Sequence, residues 1–173
     1  VLSAISVIFY VRSHADMNVK MIRYILGKML GVEALLLLIP AFVGVLYGER
    51  EGFAFLIPSG LLLVVFLLTG IKKPEKTKIY QKEGLVIVAL AWILWSLFGA
   101  LPFTLSGEIP LYIDALFETI SGFTTTGSSI LPDVEALSQC MHFWRSFTHW
   151  VGGMGALVFV LALTSLDKSS TMY

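Results

Sequence analysis

Charged residues are scarce in this chain, making up 14% of its 173 residues, whereas an average soluble domain has about 25%. Three stretches contain none at all: residues 53–71, 85–105 and 146–166. Each is close to the roughly 20 residues that an α-helix needs to cross about 30 Å of hydrocarbon. This shortage of charge argues against a buried soluble core and predicts membrane-spanning helices.

A fourth apolar stretch, residues 24–47, is a weaker candidate because Lys28 and Glu33 lie in its first half. Its centre is interrupted only by Pro40 and Gly44, which a membrane helix tolerates better than a soluble one. We therefore predict an all-α polytopic membrane protein with four crossing helices.

Disulfides and metal sites also lack support in the sequence. Cys140 is the single cysteine, which excludes an intrachain disulfide and indicates a reduced thiol. His142 and His149 are seven residues apart on one predicted helical face, but only Cys140 or Asp133 could join them as a further ligand. A metal site at these histidines is a weak candidate.

Positive charge is concentrated on one side of the predicted membrane. Basic residues crowd the linker between the second and third spans and the start of the first span: Lys72, Lys73, Lys76, Lys78 and Lys82, with Lys20, Arg23 and Lys28. An even number of helices separates the two groups, so both lie on one side, and the positive-inside rule makes that side the cytoplasm. We expect residues 73–83 to be a lysine-rich cytoplasmic linker that contacts anionic lipid or a partner, or that only sets the topology.

Residues 111–123 have the pattern of a half-length helix between the third and fourth spans. Apolar residues recur there at helical spacing, namely Leu111, Ala115, Leu116, Ile120 and Phe123. A helix of this length rises only about 18–20 Å, so it cannot cross the bilayer. The chain must turn back through residues 124–129 to the outside, which is the re-entrant layout of a tetrameric-type cation pore.

The return segment has the composition of an ion filter. Gly127 can adopt a positive φ, which lets a carbonyl turn toward a pore axis. Thr124, Thr125 and Thr126 can extend and present carbonyls that replace the water around a cation. The C-terminal end of the half-length helix carries about half a negative charge and favours a cation. A Ser/Thr/Gly run alone is weak evidence, so this prediction depends on the half-length helix before it.

Residues 114–128 and 143–155 resemble the first pore repeat of the Trk/Ktr/HKT potassium transporter superfamily, and are most similar to its bacterial TrkH-type membrane subunits. Residues 17–71 resemble the two helices that precede the repeats in TrkH-type members. The resemblance implies an N-terminal segment 1–20, a two-helix leading domain 21–72, the linker 73–83, one helix–pore-loop–helix repeat 84–168 and a truncated end 169–173. Within the repeat it implies helix 84–106, pore helix 111–123, filter 124–128 and helix 143–166.

The resemblance also implies a set of ion-binding residues. The carbonyls of Thr125, Thr126 and Gly127 would form one wall of a potassium site, with Thr124 at its inner end and Ser128 at its outer end.

Support for the filter is expected from charged and small residues nearby. Glu118 is either a brace behind the filter or a partner for Arg145, and the alternative is a solvated charge at the outer mouth. Gly152, Gly153 and Gly155 are expected to allow close helix contact in the membrane.

The function implied by the resemblance is potassium uptake across the bacterial cytoplasmic membrane, with the N-terminus inside and K+ as the transported ion. Family members carry four such repeats around one pore, pair into dimers and associate with a cytoplasmic nucleotide-binding ring subunit. This chain has one filter segment, so we expect a fragment that supplies one quarter of a filter; the alternative is four assembled copies. We expect no cofactor in this chain and no nucleic acid, and membrane lipid as a further partner.

Two other classes of function stay open at this point. An intramembrane serine protease could use Ser128 or Ser129 as nucleophile and His142 or His149 as base, but these serines follow a threonine run rather than a Gly-x-Ser-x-Gly turn. A purely structural membrane subunit is the other alternative. His149 also departs from the family pattern, which usually has glutamine there, and it places a titratable group near the outer membrane interface.

Overall fold

The computed structural model describes residues 18–75 and 81–170 and, within them, all side chains except those of residues 81, 82 and 159–170. All regular structure in these ranges is helical, which confirms the all-α fold. The α-helices are α1 Val19–Leu36, α2 Leu38–Tyr47, α3 Leu56–Thr69, α4 Gln81–Gly99, α5 Leu101–Ser106, α6 Tyr112–Phe123 and α7 Gln139–Ser170, and a 3-10 helix, Arg50–Phe55, precedes α3. Residues 1–17 of the predicted N-terminal segment, residues 76–80 of the predicted linker, and residues 171–173 lie outside the described ranges.

Three of the four predicted crossings have helices long and apolar enough to span a membrane. Within the described ranges these are Val19–Tyr47, Arg50–Thr69 and Glu83–Ser106. The fourth predicted crossing, residues 146–166, falls within α7, which has 32 residues and is long enough at about 1.5 Å per residue. Because the side chains after residue 158 lie outside the described part, this crossing stays a prediction.

Prolines divide two of the predicted helices. The predicted helix 84–106 is interrupted at Ala100, between α4 and α5. Pro102 explains this break, because it has no N–H to donate to the carbonyl of Phe98, four residues earlier. The join between α1 and α2 at Leu37 has the same cause, since Pro40 cannot donate to the carbonyl of Leu36. Each pair counts as one continuous candidate span, so these prolines interrupt the helical hydrogen bonds without ending the span.

The leading helices α1 and α3 are in close contact through small residues. A Cβ at Gly27 would overlap Thr69, and one at Gly31 would lie 2.8 Å from ring carbons of Phe66. Glu33 is fully buried in α1, and no residue in the described part forms a hydrogen bond with its carboxyl oxygens. The two helices are therefore held mainly by close packing, as is usual where lipid removes the hydrophobic driving force between helices.

An aromatic cluster joins the leading helices to the predicted pore repeat. The Trp144 ring of α7 packs edge-on against Phe55 of the 3-10 helix at 6.0 Å and against Phe123 of α6 at 6.2 Å between centroids. The indole N–H of Trp144 donates to the carbonyl of Gly99 at 2.9 Å. Trp95 of α4 also packs against Phe123, at 5.7 Å. The end of α6 is thus held by two large rings, of which Trp144 is buried and Trp95 is partly buried.

Two distant carboxylates cap the N-terminus of α7. Glu49 accepts hydrogen bonds from the backbone N–H groups of Gln139 at 2.8 Å and Cys140 at 2.9 Å. Glu108 accepts from both the backbone N–H and the hydroxyl of Ser138. These caps satisfy the free donors at the positive end of the helix dipole. They also explain why α7 begins at Gln139 rather than at the predicted residue 143.

Capping also shifts the pKa of Glu49. Desolvation raises this pKa, but the hydrogen bonds from Cys140 and Gln139 lower it by more, so the net pKa is below the ordinary value. We expect Glu49→Ala to lower stability at neutral pH by about 1 kcal/mol, the usual value of a lost helix cap.

The pH dependence of this effect follows from the direction of the shift. Because the folded pKa is depressed, the stabilisation from Glu49 is complete above the unfolded pKa of about 4.3 and is lost as the pH falls through the folded pKa. Thermal unfolding in detergent from pH 7.5 to 3.5 should show the difference between variant and wild type shrinking at the acid end. Glu51→Ala is the control, since the Glu51 side chain makes no hydrogen bond in the described ranges. An equal loss in both variants would contradict the capping role.

Candidate ion-filter site

The chain leaves helix α6 at Phe123 and turns sharply through the predicted filter. The N–H groups of Thr125 and Thr126 still bond to the carbonyls of Gly122 and Ser121, at 2.9 and 3.0 Å. Thr125 has φ 57° and Gly127 has φ 77°, so both lie in the left-handed region. The positive φ of Gly127 agrees with the expectation from its sequence. The expectation that all three threonines extend is wrong for Thr125, because the last hydrogen bonds of the helix wind the chain there.

Three carbonyls in this turn are available to a ligand. In the described part of the chain, no group donates to the carbonyl oxygens of Thr125, Thr126 or Gly127, whereas the carbonyl of Thr124 accepts from the Thr125 hydroxyl at 2.7 Å. Residues 124–130 are exposed. The free carbonyls follow the C-terminal, negative end of α6. The turn can therefore offer oxygen ligands to a cation in a field that favours positive charge.

Polar side chains of α6 bind the segment that follows the turn, residues 128–130, which we call the return strand. The hydroxyl of Ser121 donates to the carbonyl of Ser128 at 2.5 Å. Both carboxylate oxygens of Glu118 accept from the hydroxyl of Ser129 at 3.0 Å, and one also accepts from the N–H of Ile130 at 3.1 Å. The predicted filter is thus fixed at both ends, by the end of the helix and by these contacts behind it.

Glu118 also forms an ion pair with Arg145 of α7. The Arg145 Nε lies 2.5 Å from a Glu118 oxygen, and the side chains are 16% and 0% exposed respectively. Such burial does not fit a solvated charge at an outer mouth. The two remaining expectations, a brace and an arginine partner, describe contacts that occur together in the structure.

Glycines allow α7 to pass against the end of α6. A Cβ at Gly152 would overlap the backbone carbonyl of Phe123, and one at Gly155 would lie 3.2 Å from the Trp92 ring. A Cβ at Gly153 would lie 3.8 Å from the Thr125 methyl group, which is an ordinary contact. Gly152 is therefore the position at which the α6–α7 contact excludes any side chain.

The structure does not bring together the residues that a protease or a metal site would need. The ring nitrogens Nδ1 of His142 and His149 contact the backbone carbonyls of Val134 and Arg145. Neither Ser128 nor Ser129 forms a hydrogen bond with a histidine in the residues that the structure describes. Over the same residues, no group of three or more His, Cys, Asp or Glu side chains is close enough to hold a metal ion.

Residues 53–173 match the model of the TrkH family, which is described as a cation transport protein. The chain belongs to the TrkH family. Its members are transporters rather than enzymes, which decides against the protease. Together with the apolar helices, membership identifies a multi-pass membrane protein.

Named relatives of this TrkH-family chain support the same assignment. A cation transporter of Methanocaldococcus jannaschii is 38% identical over 157 residues, which cover 90% of this chain and 32% of the relative. The Trk system potassium uptake protein TrkH of Escherichia coli is 34% identical, over 85% of this chain and 31% of its own length. The crystal structure of the potassium transporter TrkH from Vibrio parahaemolyticus has a TM-score of 0.79 and 31% identity, over 85% of this chain and 32% of that one. The chain thus spans about a third of the length of these relatives.

Two residues at the candidate site have no structural role predicted from the sequence. Ser121 and Ser129 hold the ends of the return strand, yet the sequence offers Ser121 only within the segment 114–128 and Ser129 only as a candidate protease nucleophile. A signal was available for one of them. Ser121 lies three residues after Glu118 on α6, so the two side chains share one helical face and reach the same strand.

Proposed function

We propose that this chain takes part in potassium uptake across the cytoplasmic membrane, and that residues 124–128 supply one quarter of a selectivity filter in a longer, four-repeat protein. The observation that carries the proposal is the set of free carbonyls of Thr125, Thr126 and Gly127 at the negative end of a helix too short to cross. The names of the relatives support potassium as the ion. Their length, about three times the matched part, supports further repeats.

In this proposal the three free carbonyls replace part of the hydration shell of K+. Thr124 lies at the inner end of the site and Ser128 closes it at the outer end. Three oxygens on one strand cannot surround an ion, so equivalent strands from other repeats complete the coordination. Glu118 and Arg145 support the filter from behind, while Gly152, Gly153 and Gly155 give α7 its close approach.

We also propose an N-terminus on the cytoplasmic side of a bacterial membrane. The excess of lysine around the linker supports this orientation through the positive-inside rule. Family resemblance supports a dimer of the full-length protein and a cytoplasmic nucleotide-binding ring subunit. Membrane lipid contacts the exposed apolar faces of the helices, such as those of α3.

Replacement of Gly127 by serine in the full-length protein tests the filter. A side chain at φ 77° is strained by about 1–2 kcal/mol, so we expect the turn to shift and the preference for Rb+ over Na+ in proteoliposome flux to fall several-fold. Gly107→Ser is the matched control. Gly107 also has positive φ, 83°, with open space around its Cβ position, but it lies in the turn after α5.

The outcomes separate the filter from the function as a whole. Unchanged selectivity in Gly127→Ser, or an equal change in Gly107→Ser, would remove Gly127 from the filter. Rb+ flux no greater than that of empty liposomes in the wild type would refute potassium transport itself.

A further inference from the structure

Ser121, in the last turn of α6, contacts the candidate filter through two different groups. Its backbone carbonyl accepts from the N–H of Thr126 at 3.0 Å and, at the limit of hydrogen bonding, from the N–H of Gly127 at 3.5 Å. Its hydroxyl donates to the carbonyl of Ser128 at 2.5 Å. Ser121 is buried, with 4% of its surface exposed, whereas residues 124–130 are exposed. One buried residue therefore binds both the turn and the return strand that follows it.

These bonds decide which way the carbonyls of the turn point. The peptide bonds here are trans, so each C=O points away from the N–H of the following residue. The N–H of Thr126 points toward the Ser121 carbonyl, so the carbonyl of Thr125 points away from it. By the same argument, the N–H of Gly127 directs the carbonyl of Thr126 away from α6. The Ser128 carbonyl points toward α6 instead, because it accepts from the Ser121 hydroxyl.

The row of free carbonyls therefore ends at Gly127. No group in the described part of the chain donates to the Gly127 carbonyl, but the next carbonyl, that of Ser128, already has a donor. A cation that approached the Ser128 oxygen would also approach the hydrogen of the Ser121 hydroxyl, which carries partial positive charge and repels it. Removal of that hydroxyl would release the return strand and make a fourth carbonyl available beside the other three.

We propose that Ser121 determines ion specificity: its hydroxyl holds the Ser128 carbonyl away from the ion and so limits the filter oxygens of this chain to the three free carbonyls. The inference rests on the proposed function. Ser121 acts through the return strand rather than on the ion, so it is a positioning residue. Both the size of a carbonyl cavity and the number of its oxygens bear on the preference for K+ over Na+. Loss of the hydroxyl changes both, because a released strand can close around the smaller Na+ and adds an oxygen.

Fluxes of Rb+ and Na+ into proteoliposomes of the full-length protein test the proposal. In Ser121→Ala we expect the preference for Rb+ over Na+ to fall by about fivefold, the size expected when a single hydrogen bond is lost. Rb+ flux itself should be retained, because the three free carbonyls remain. The matched control is Thr119→Val, which removes another buried hydroxyl of α6; that hydroxyl donates to the helix carbonyl of Ala115 at 2.8 Å. The control should keep the wild-type preference.

Two further variants separate the hydroxyl from other effects of substitution. Ser121→Thr keeps the donor, and Ser121→Cys keeps only the weak donor of a thiol. The preference for Rb+ over Na+ should therefore be similar for serine and threonine, lower for cysteine and lowest for alanine. Any two of the variants that fold are enough to test this order against the wild type.

Each outcome bears on one level of the proposal. An unchanged preference in Ser121→Ala, an equal fall in Thr119→Val, or a different order among the Ser121 variants would overturn the inference while leaving potassium transport intact. Absence of wild-type Rb+ flux above that of empty liposomes would instead overturn the proposed function, and this inference with it.

Discussion

Gly152→Ala should abolish most transport, although it adds only one methyl group. The new Cβ would overlap the carbonyl oxygen, carbonyl carbon and Cα of Phe123, all of which are backbone atoms at the end of α6. No rotamer change can relieve this overlap, so α7 and the end of α6 must separate. We expect a loss of about 3 kcal/mol in stability, in the upper part of the range for overpacking.

Transport should fall at least tenfold in Gly152→Ala, because the displaced backbone leads directly into Thr124 and the filter. The measurements are thermal unfolding in detergent and Rb+ flux of the full-length protein. The neighbouring substitution, Gly153→Ala, is the control: its Cβ meets only the Thr125 methyl group at an ordinary contact distance of 3.8 Å. If both alanines have the same effect, the close contact at Gly152 is not what positions the filter.

Gly152 and Gly153 show which features of the helix contact can be predicted from the sequence and which cannot. The small residues near 152–155 predict a close helix contact, and the structure has one. Which glycine meets the backbone depends on the rotation of α7 about its axis, and that rotation is set by packing of Trp144 between Phe55 and Phe123. No local pattern contains this information, because the rings come from elements far apart in the chain.

The helices of the predicted repeat also differ in how well local sequence predicts them. Length and charge predict a half-length helix over residues 111–123 followed by a return turn, because both depend on local composition; α6 spans Tyr112–Phe123. The sequence predicts that α7 begins at residue 143, four residues after its observed start at Gln139, because its caps are Glu49 and Glu108, which are 90 and 30 residues away from the groups they bond. Similarly, the left-handed conformation of Thr125 arises from hydrogen bonds at the end of α6, and propensity alone would not assign it to a threonine.

Glu118→Gln should lower both stability and selectivity strongly, because the Glu118 carboxylate binds three partners. Its oxygens accept from Ser129, from the N–H of Ile130 and from Arg145, and the side chain is fully buried. Glu118→Gln keeps an acceptor for the return strand but leaves Arg145 unpaired where it is only 16% exposed. Breaking a buried pair by removing one partner costs about 3–5 kcal/mol, and we expect a loss near the lower end of that range.

In Glu118→Gln the preference for Rb+ over Na+ should fall as well as the stability, because Ser129 and Ile130 anchor the outer end of the return strand to Glu118. The control is Asp114→Asn, one turn earlier on α6 and partly exposed. It should change the stability by no more than about 0.5 kcal/mol, and the Rb+ over Na+ preference by no more than the equivalent factor.

A double variant separates the ion pair from the brace. If the main loss comes from an unpaired arginine, Glu118→Gln combined with Arg145→Met should recover part of the stability lost in Glu118→Gln alone. Selectivity should stay low in the double variant, since glutamine keeps only one of the two oxygens that accept from the hydroxyl of Ser129. Additive losses in stability would contradict the pairing of Glu118 with Arg145. Recovery of selectivity together with stability would contradict a separate role of Glu118 in bracing the filter, and would assign its whole effect to the position of α7.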